Sequence, residues 1–127
     1  MTMARKIRCY KTNGEGLAEL CLVQQSGSDS LGSDQVRVAV HAVSLNYRDL
    51  LVARGAYGGP QNPPIIAASD MSGVVLEVGS DVHSVKVGEH VINAPVPAWL
   101  DGRLQRNWSR TFVGGQGTDG VLAEEVI

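Results

Sequence analysis

The chain has 127 residues, 43% hydrophobic and 19% charged, which suits one domain with one modest core and excludes a disordered tail. Eleven Lys and Arg against thirteen Asp and Glu give a net charge of −2, too little basic surface to neutralise many phosphates, so nucleic acid is not an expected partner. No apolar run approaches the roughly 20 residues needed to cross a bilayer, and the start MTMARKIRCYK carries no apolar stretch behind its charges; neither a membrane nor a secretory route is expected, and the location read is cytoplasmic.

Segments of alternating polarity, separated by glycines and prolines, predict many short strands. Lys6 to Lys11 and Leu17 to Gln24 read as a hairpin around Asn13-Gly14-Glu15-Gly16. Cys9 and Cys21 flank that turn and are read as two free thiols buried in strands, with a bridge between them as the alternative. Ser26 to Asp34 is a polar loop. Gln35 to Ser44 follows as the clearest strand, with Val36, Val38, Val40 and Ala42 on one face.

From Asn46 to Arg54 the period changes. Asn46 can cap a short helix, Asp49 sits where an acid favours a helix start, and Gly55 follows at the expected end. Ala56 to Pro64 is irregular, and Ser69 to Val78 and His90 to Asn93 are strands. Ala94 to Asp119, with both tryptophans, is a long excursion before Gly120 to Ile127 regains strand character. The order predicts an irregular all-β barrel or sandwich with one or two short helices, as a single domain over residues 1–127.

Gly115-x-Gly117-x-x-Gly120 matches a dinucleotide fingerprint in letters alone. A working fingerprint needs a strand before it, a helix after it and an acidic residue about 20 positions on. Only VLAEEVI follows, so a flexible loop is expected there. Three scattered histidines and two cysteines form no metal-ligand cluster; His41, His83 and His90 are read as strand and turn residues.

A more specific series is Ser44-Leu45-Asn46-Tyr47-Arg48-Asp49-Leu50-Leu51, then Arg54-Gly55-x-Tyr57, Pro63-Pro64-x-Ile66, Ser69-Asp70-x-x-Gly73-x-Val75-x-x-Val78-Gly79 and Val85-x-x-Gly88-x-x-Val91. It resembles the amino-terminal, GroES-like catalytic domain of the medium-chain dehydrogenase/reductase superfamily. Zinc members of that family carry a cysteine where this chain has Asn46, and a histidine and glutamate where it has Ser69 and Asp70. The family's structural-zinc lobe holds four cysteines, and Asn93 to Gly120 holds none. The resemblance is therefore to the zinc-free, quinone-oxidoreductase and enoyl-reductase-like branch.

That resemblance implies hydride transfer from NADPH or NADH to a quinone, enone or carbonyl, with no metal. It implies catalytic roles for Asn46 and Tyr57, cofactor contacts for Asn46, Tyr47 and Arg48, and a substrate pocket lined by Tyr57; Trp99 and Trp108, in the long loop, are read from their place as further walls of an apolar pocket. Asn46 suits this chemistry because an amide offers both donor and acceptor to a developing oxyanion. The plainer readings are Asn46 as a helix cap, Tyr57 as a loop aromatic, Asp49 as structural, paired with Arg48 or accepting backbone amides, Trp99 and Trp108 packing the loop down, and Ser69 and Asp70 as remnants of a lost metal site rather than a new acid/base pair. The family's Rossmann half is absent from these 127 residues, so the chain is expected to be inactive alone and to self-associate, or take a partner, through an exposed apolar face. A stand-alone, non-catalytic GroES-like binding module is the alternative. A true GroES co-chaperonin is a third reading, which leaves the Asn46–Asp49 motif without a purpose.

Overall fold

Among the described residues, seven short strands and one α-helix follow the alternating pattern closely. The computed structural model describes residues 5–104, 106 and 108–127; Met1 to Ala4, Gln105 and Asn107, on which the leader and long-loop readings partly fall, lie outside the described residues. The strands are β1 (Lys6–Thr12), β2 (Cys21–Ser26), β3 (Val36–Ser44), β4 (Ile65–Ile66), β5 (Asp70–Val78), β6 (His90–Ile92) and β7 (Glu125–Val126), with α1 (Tyr47–Ala53) between β3 and β4. They form two antiparallel sheets, β2-β1-β4 and β6-β5-β3-β7.

The hairpin β1–β2 forms as expected, but its second arm starts late. Leu17–Glu19 is a single 3₁₀ turn, closed by Leu20 N–H donating to Leu17 O, and the strand begins only at Cys21. In the ladder Cys9 faces Val23 and Cys21 faces Lys11. Both cysteines are free; Cys9 is buried, as expected, whereas Cys21 is exposed. Burial raises the Cys9 thiol above its ordinary value, which keeps it protonated.

Strand β3 departs from strict alternation for a local reason. Its pairing with β5 shifts register between Arg37 and Val38, and again between Val40 and Ala42. The second shift skips His41, and such an extra residue reverses which side chains face inward. Val36, Val38 and Val40 therefore reach the core as expected, but Val43 joins them in place of Ala42. That core centres on Val38, Ala68, Met71 and Val121, with Val91, Val113, Leu122 and Val126 packed around it. Arg37 is buried beside it and donates through Nε to Glu77 Oε2 at 3.0 Å on the neighbouring strand.

Residues 120–124 form no continuous strand, yet they join the two sheets. Gly120 N–H donates to Ile66 O, Tyr10 N–H to Leu122 O, Glu124 N–H to Arg8 O and Val40 N–H to Glu124 O. The Arg8 guanidinium bonds the Glu124 carboxylate at 2.8 and 2.5 Å and holds it below the usual carboxylate range.

The fit at Gly120 is tight. A Cβ there would lie 2.1 Å from Ala68 O and 2.4 Å from Ala67 O, both rigid backbone atoms. Gly120→Ala is expected to lower stability by about 1–3 kcal/mol, read as a lower denaturant midpoint at unchanged slope. An unchanged midpoint would contradict this packing.

Candidate functional site

The site is built where two strands end together. Ser44, the last residue of β3, pairs with Asp70, the first of β5. Two residues beyond Ser44 the chain turns into α1, with Asn46 at its N-cap in extended backbone. Asn46 and Asp70 thus meet across the mouth of the sheet: Asn46 Nδ2 donates to Asp70 Oδ2 at 2.7 Å. Ser69, itself buried, donates from Oγ to the same Oδ2 at 2.5 Å. Ala68, just before it, is buried with φ of 67°, a left-handed conformation that costs a non-glycine residue energy and is held by its surroundings.

Asn93 closes the cluster from the β6 side. Its Nδ2 donates to Ser69 O at 2.7 Å, and its Oδ1 accepts Met71 N–H at 2.8 Å. An open depression of about 510 Å³ lies against this face, lined by Ala42, Val43, Asp70, Met71, Ile92 and Asn93 among others. No role for Asn93 was legible in the sequence; an amide directly after the apolar Val91-Ile92 of β6 was the available signal.

The helix start is fixed by Asp49, whose Oδ2 accepts the Asn46 backbone N–H at 2.8 Å. The structural reading of Asp49 as an acceptor of backbone amides is thereby met. Its Oδ1 is shielded and has no hydrogen-bond partner among the described residues. Burial, with help from the charge of Asp70, pushes this carboxyl above its ordinary value, against the Asn46 amide bond and the charge of Arg48.

Tyr47 and Arg48 leave α1 in different directions. Tyr47 is 73% exposed beside Asn46. Arg48 is half-buried, with its guanidinium 3.5 Å from the Phe112 ring centre and 5.0 Å from that of Tyr57. Its Nη1 donates to Val113 O at 3.1 Å, while Nε and Nη2 are shielded without partners among the described residues. Stacking of this kind contributes about 0.5–2 kcal/mol, so Arg48 pins the 112–115 segment to α1. Trp99 is half exposed, and its indole N–H donates to Gly102 O within its own loop. The structure thus gathers Asn46, Ser69, Asp70 and Asn93 in one cluster, and Arg48, Tyr57 and Phe112 in another. The contacts described for Trp99 place it in neither.

The glycine fingerprint is a tight turn. Thr118 N–H donates to Gly115 O, with Gln116 and Gly117 both at positive φ, the signature of a type I′ turn. Gly115 and Gly120 are buried, so the segment is packed rather than free, and no helix follows it. It offers no phosphate cradle.

The donor set does not fit zinc. At the three positions that resemblance aligns with zinc ligands stand an amide, a hydroxyl and one carboxylate, already bonded to one another. Zinc prefers thiolate and imidazole, and among the described residues no three His, Cys, Asp or Glu side chains gather to hold a metal ion. On this face the exposed Tyr47 and the second Nδ2–H of Asn46 are groups that could meet the edge of a nicotinamide.

Comparison with known proteins agrees with this architecture. Residues 32–127 match the alcohol dehydrogenase GroES-like domain, and the chain belongs to that family, within the medium-chain dehydrogenase/reductase superfamily. Among its relatives are a zinc-type alcohol dehydrogenase-like protein of Schizosaccharomyces pombe, 38% identical over 67% of this chain and 25% of its own length, and quinone oxidoreductase-like protein 2 of Rattus norvegicus, 41% identical over 55% of this chain and 20% of its own. A solved Sinorhizobium meliloti structure described as an alcohol dehydrogenase superposes with a TM-score of 0.80 at 37% identity, covering 98% of this chain and 37% of that one. A zinc-binding dehydrogenase from the same organism, bound to NADP, shares the fold at a TM-score of 0.71 and 21% identity, over 95% of this chain and 35% of its own. The chain spans a fifth to a quarter of the length of the two relatives named.

The position of Asp49 sets a pH dependence. Its folded-state pKa lies above the ordinary 3.8, so the ionised form weakens the fold. That penalty is complete above the folded value and vanishes as pH falls below the ordinary one. An NMR titration read on the Asn46 backbone amide, which Asp49 accepts, is expected to show a midpoint above 3.8. A midpoint at or below that value would contradict the burial argument.

Proposed function

We propose that this chain is the substrate-side, catalytic domain of a zinc-independent, NADPH- or NADH-dependent reductase that transfers hydride to a quinone, enone or carbonyl. The observation that carries the reading is the Asn46 amide, bonded to Asp70 where a zinc enzyme would present a thiolate. The quinone oxidoreductase-like relatives support it. The zinc-type and zinc-binding names among other relatives belong to those proteins.

In this reading the nicotinamide, held mainly by a second, Rossmann-type unit, supplies the hydride. The chain's own residues do the rest. Asn46 keeps one N–H for an acceptor oxygen, of the substrate or of the cofactor's carboxamide. A fixed donor aimed at a developing negative charge is worth about 10²–10³-fold in rate. Tyr47, exposed at the helix start, contacts the cofactor's edge, and Arg48 firms the same helix from beneath. Tyr57 and Trp99 line the substrate side, Tyr57 with its hydroxyl as donor or anchor.

The apolar side chains that stand exposed near this mouth, Leu45, Tyr47 and Ile92 at 73%, 73% and 81%, are the face for the second unit, or for self-association without it.

Incubated alone with NADPH and an enone or quinone, the 127 residues are expected to give no sustained cofactor consumption. Joined to a nicotinamide-binding unit they turn over, and a chelator leaves the rate unchanged. Asn46→Ala then lowers kcat/KM by about 10²-fold. Turnover that a chelator abolishes and zinc restores would contradict the proposal.

A further inference from the structure

Asn46 has a choice that its sequence position does not settle. A planar carboxamide can point either its oxygen or its nitrogen at a neighbour, and the two arrangements offer opposite polarity on the other side. We propose that Asp70 is the positioning residue that settles this choice, fixing the Asn46 amide nitrogen toward itself so that the remaining Nδ2–H is presented to an acceptor oxygen.

Two contacts carry the inference. Asn46 Nδ2 lies 2.7 Å from Asp70 Oδ2. An ionised carboxylate only accepts, so turning the amide over would set Asn46 Oδ1 against a lone-pair-bearing oxygen. The same Oδ2 takes the Ser69 hydroxyl at 2.5 Å, which leaves that hydroxyl's proton committed and Ser69 unable to offer Asn46 a competing donor. Ser69 is buried and Asn93 ties its carbonyl and the Met71 amide to β6, so the carboxylate is held on a fixed backbone. Charge-assisted bonds of this length are about twice as strong as neutral ones. One hydrogen of the Asn46 nitrogen is thereby used. The other, on an exposed side chain, is a donor of fixed direction.

This assigns Ser69 and Asp70 a function in the present chain, where the sequence allowed them to be read as leftovers. Its consequence for reaction rests on the hydride-transfer reading above, but the orientation itself does not.

The test is NMR on the protein without cofactor or substrate, reading the two side-chain amide protons of Asn46, identified by their loss in Asn46→Asp. One proton is expected well downfield of a free carboxamide and slow to exchange, and the other near the free position. Two protons at free positions in the unaltered protein would overturn the proposal. In Asp70→Ala, which removes the acceptor, the downfield proton is expected to be lost while the backbone amides of β3 keep their shifts; in Asp70→Glu it is expected to return in part. Persistence of the downfield proton in folded Asp70→Ala would also overturn it. Free nicotinamide then separates the two claims. A shift of the second proton alone extends the proposal to ligand binding. If neither proton moves, Asp70 keeps its positioning role and the hydride-transfer reading loses its support.

Discussion

One carboxylate oxygen organises the face on which the functional reading stands. Asp70 Oδ2 accepts from the Asn46 amide and from the Ser69 hydroxyl at once. The two donors come from separate stretches, the turn after β3 and the residue before β5, so the oxygen joins them. Its place is set by the pairing of Ser44 with Asp70, by the left-handed Ala68 and by Asn93 reaching over from β6. Satisfying so many polar groups at one point leaves little freedom, because turning the Asn46 amide over would set oxygen against oxygen and turning the buried Ser69 hydroxyl away would leave it unpaired.

Charge balance around α1 follows the same logic with less success. Asp49 caps the helix through the Asn46 N–H, yet its other oxygen and two Arg48 nitrogens are shielded without partners among the described residues. The fold tolerates this because Arg48 lies between aromatic rings and bonds the Val113 carbonyl.

Much of the fold was legible because it rests on local rules. Period-two alternation located β3 and β5, and Asn46, Asp49 and Gly55 marked the helix and its ends; Gly55 has the expected left-handed φ, 69°. The misses have physical causes. The β3 bulge exchanged Ala42 for Val43 in the core because register is set by the partner strand. The segment 120–124 bonds two sheets alternately and so is not one strand. Asn46 and Asp70 were each visible, but their contact spans 24 positions and depends on sheet pairing. For the same reason, Phe112 as the cover of Arg48 could not be read from spacing.

The central claim is that an amide, a hydroxyl and a carboxylate bond to one another at the positions that the sequence resemblance aligns with zinc ligands. Zinc titration of the folded protein, with bound metal measured after gel filtration and the Asn46 side-chain amide followed by NMR, tests it most directly. The account predicts no stoichiometric zinc and an unmoved Asn46 signal. One zinc retained per chain, with the Asn46 and Asp70 signals displaced together, would contradict it.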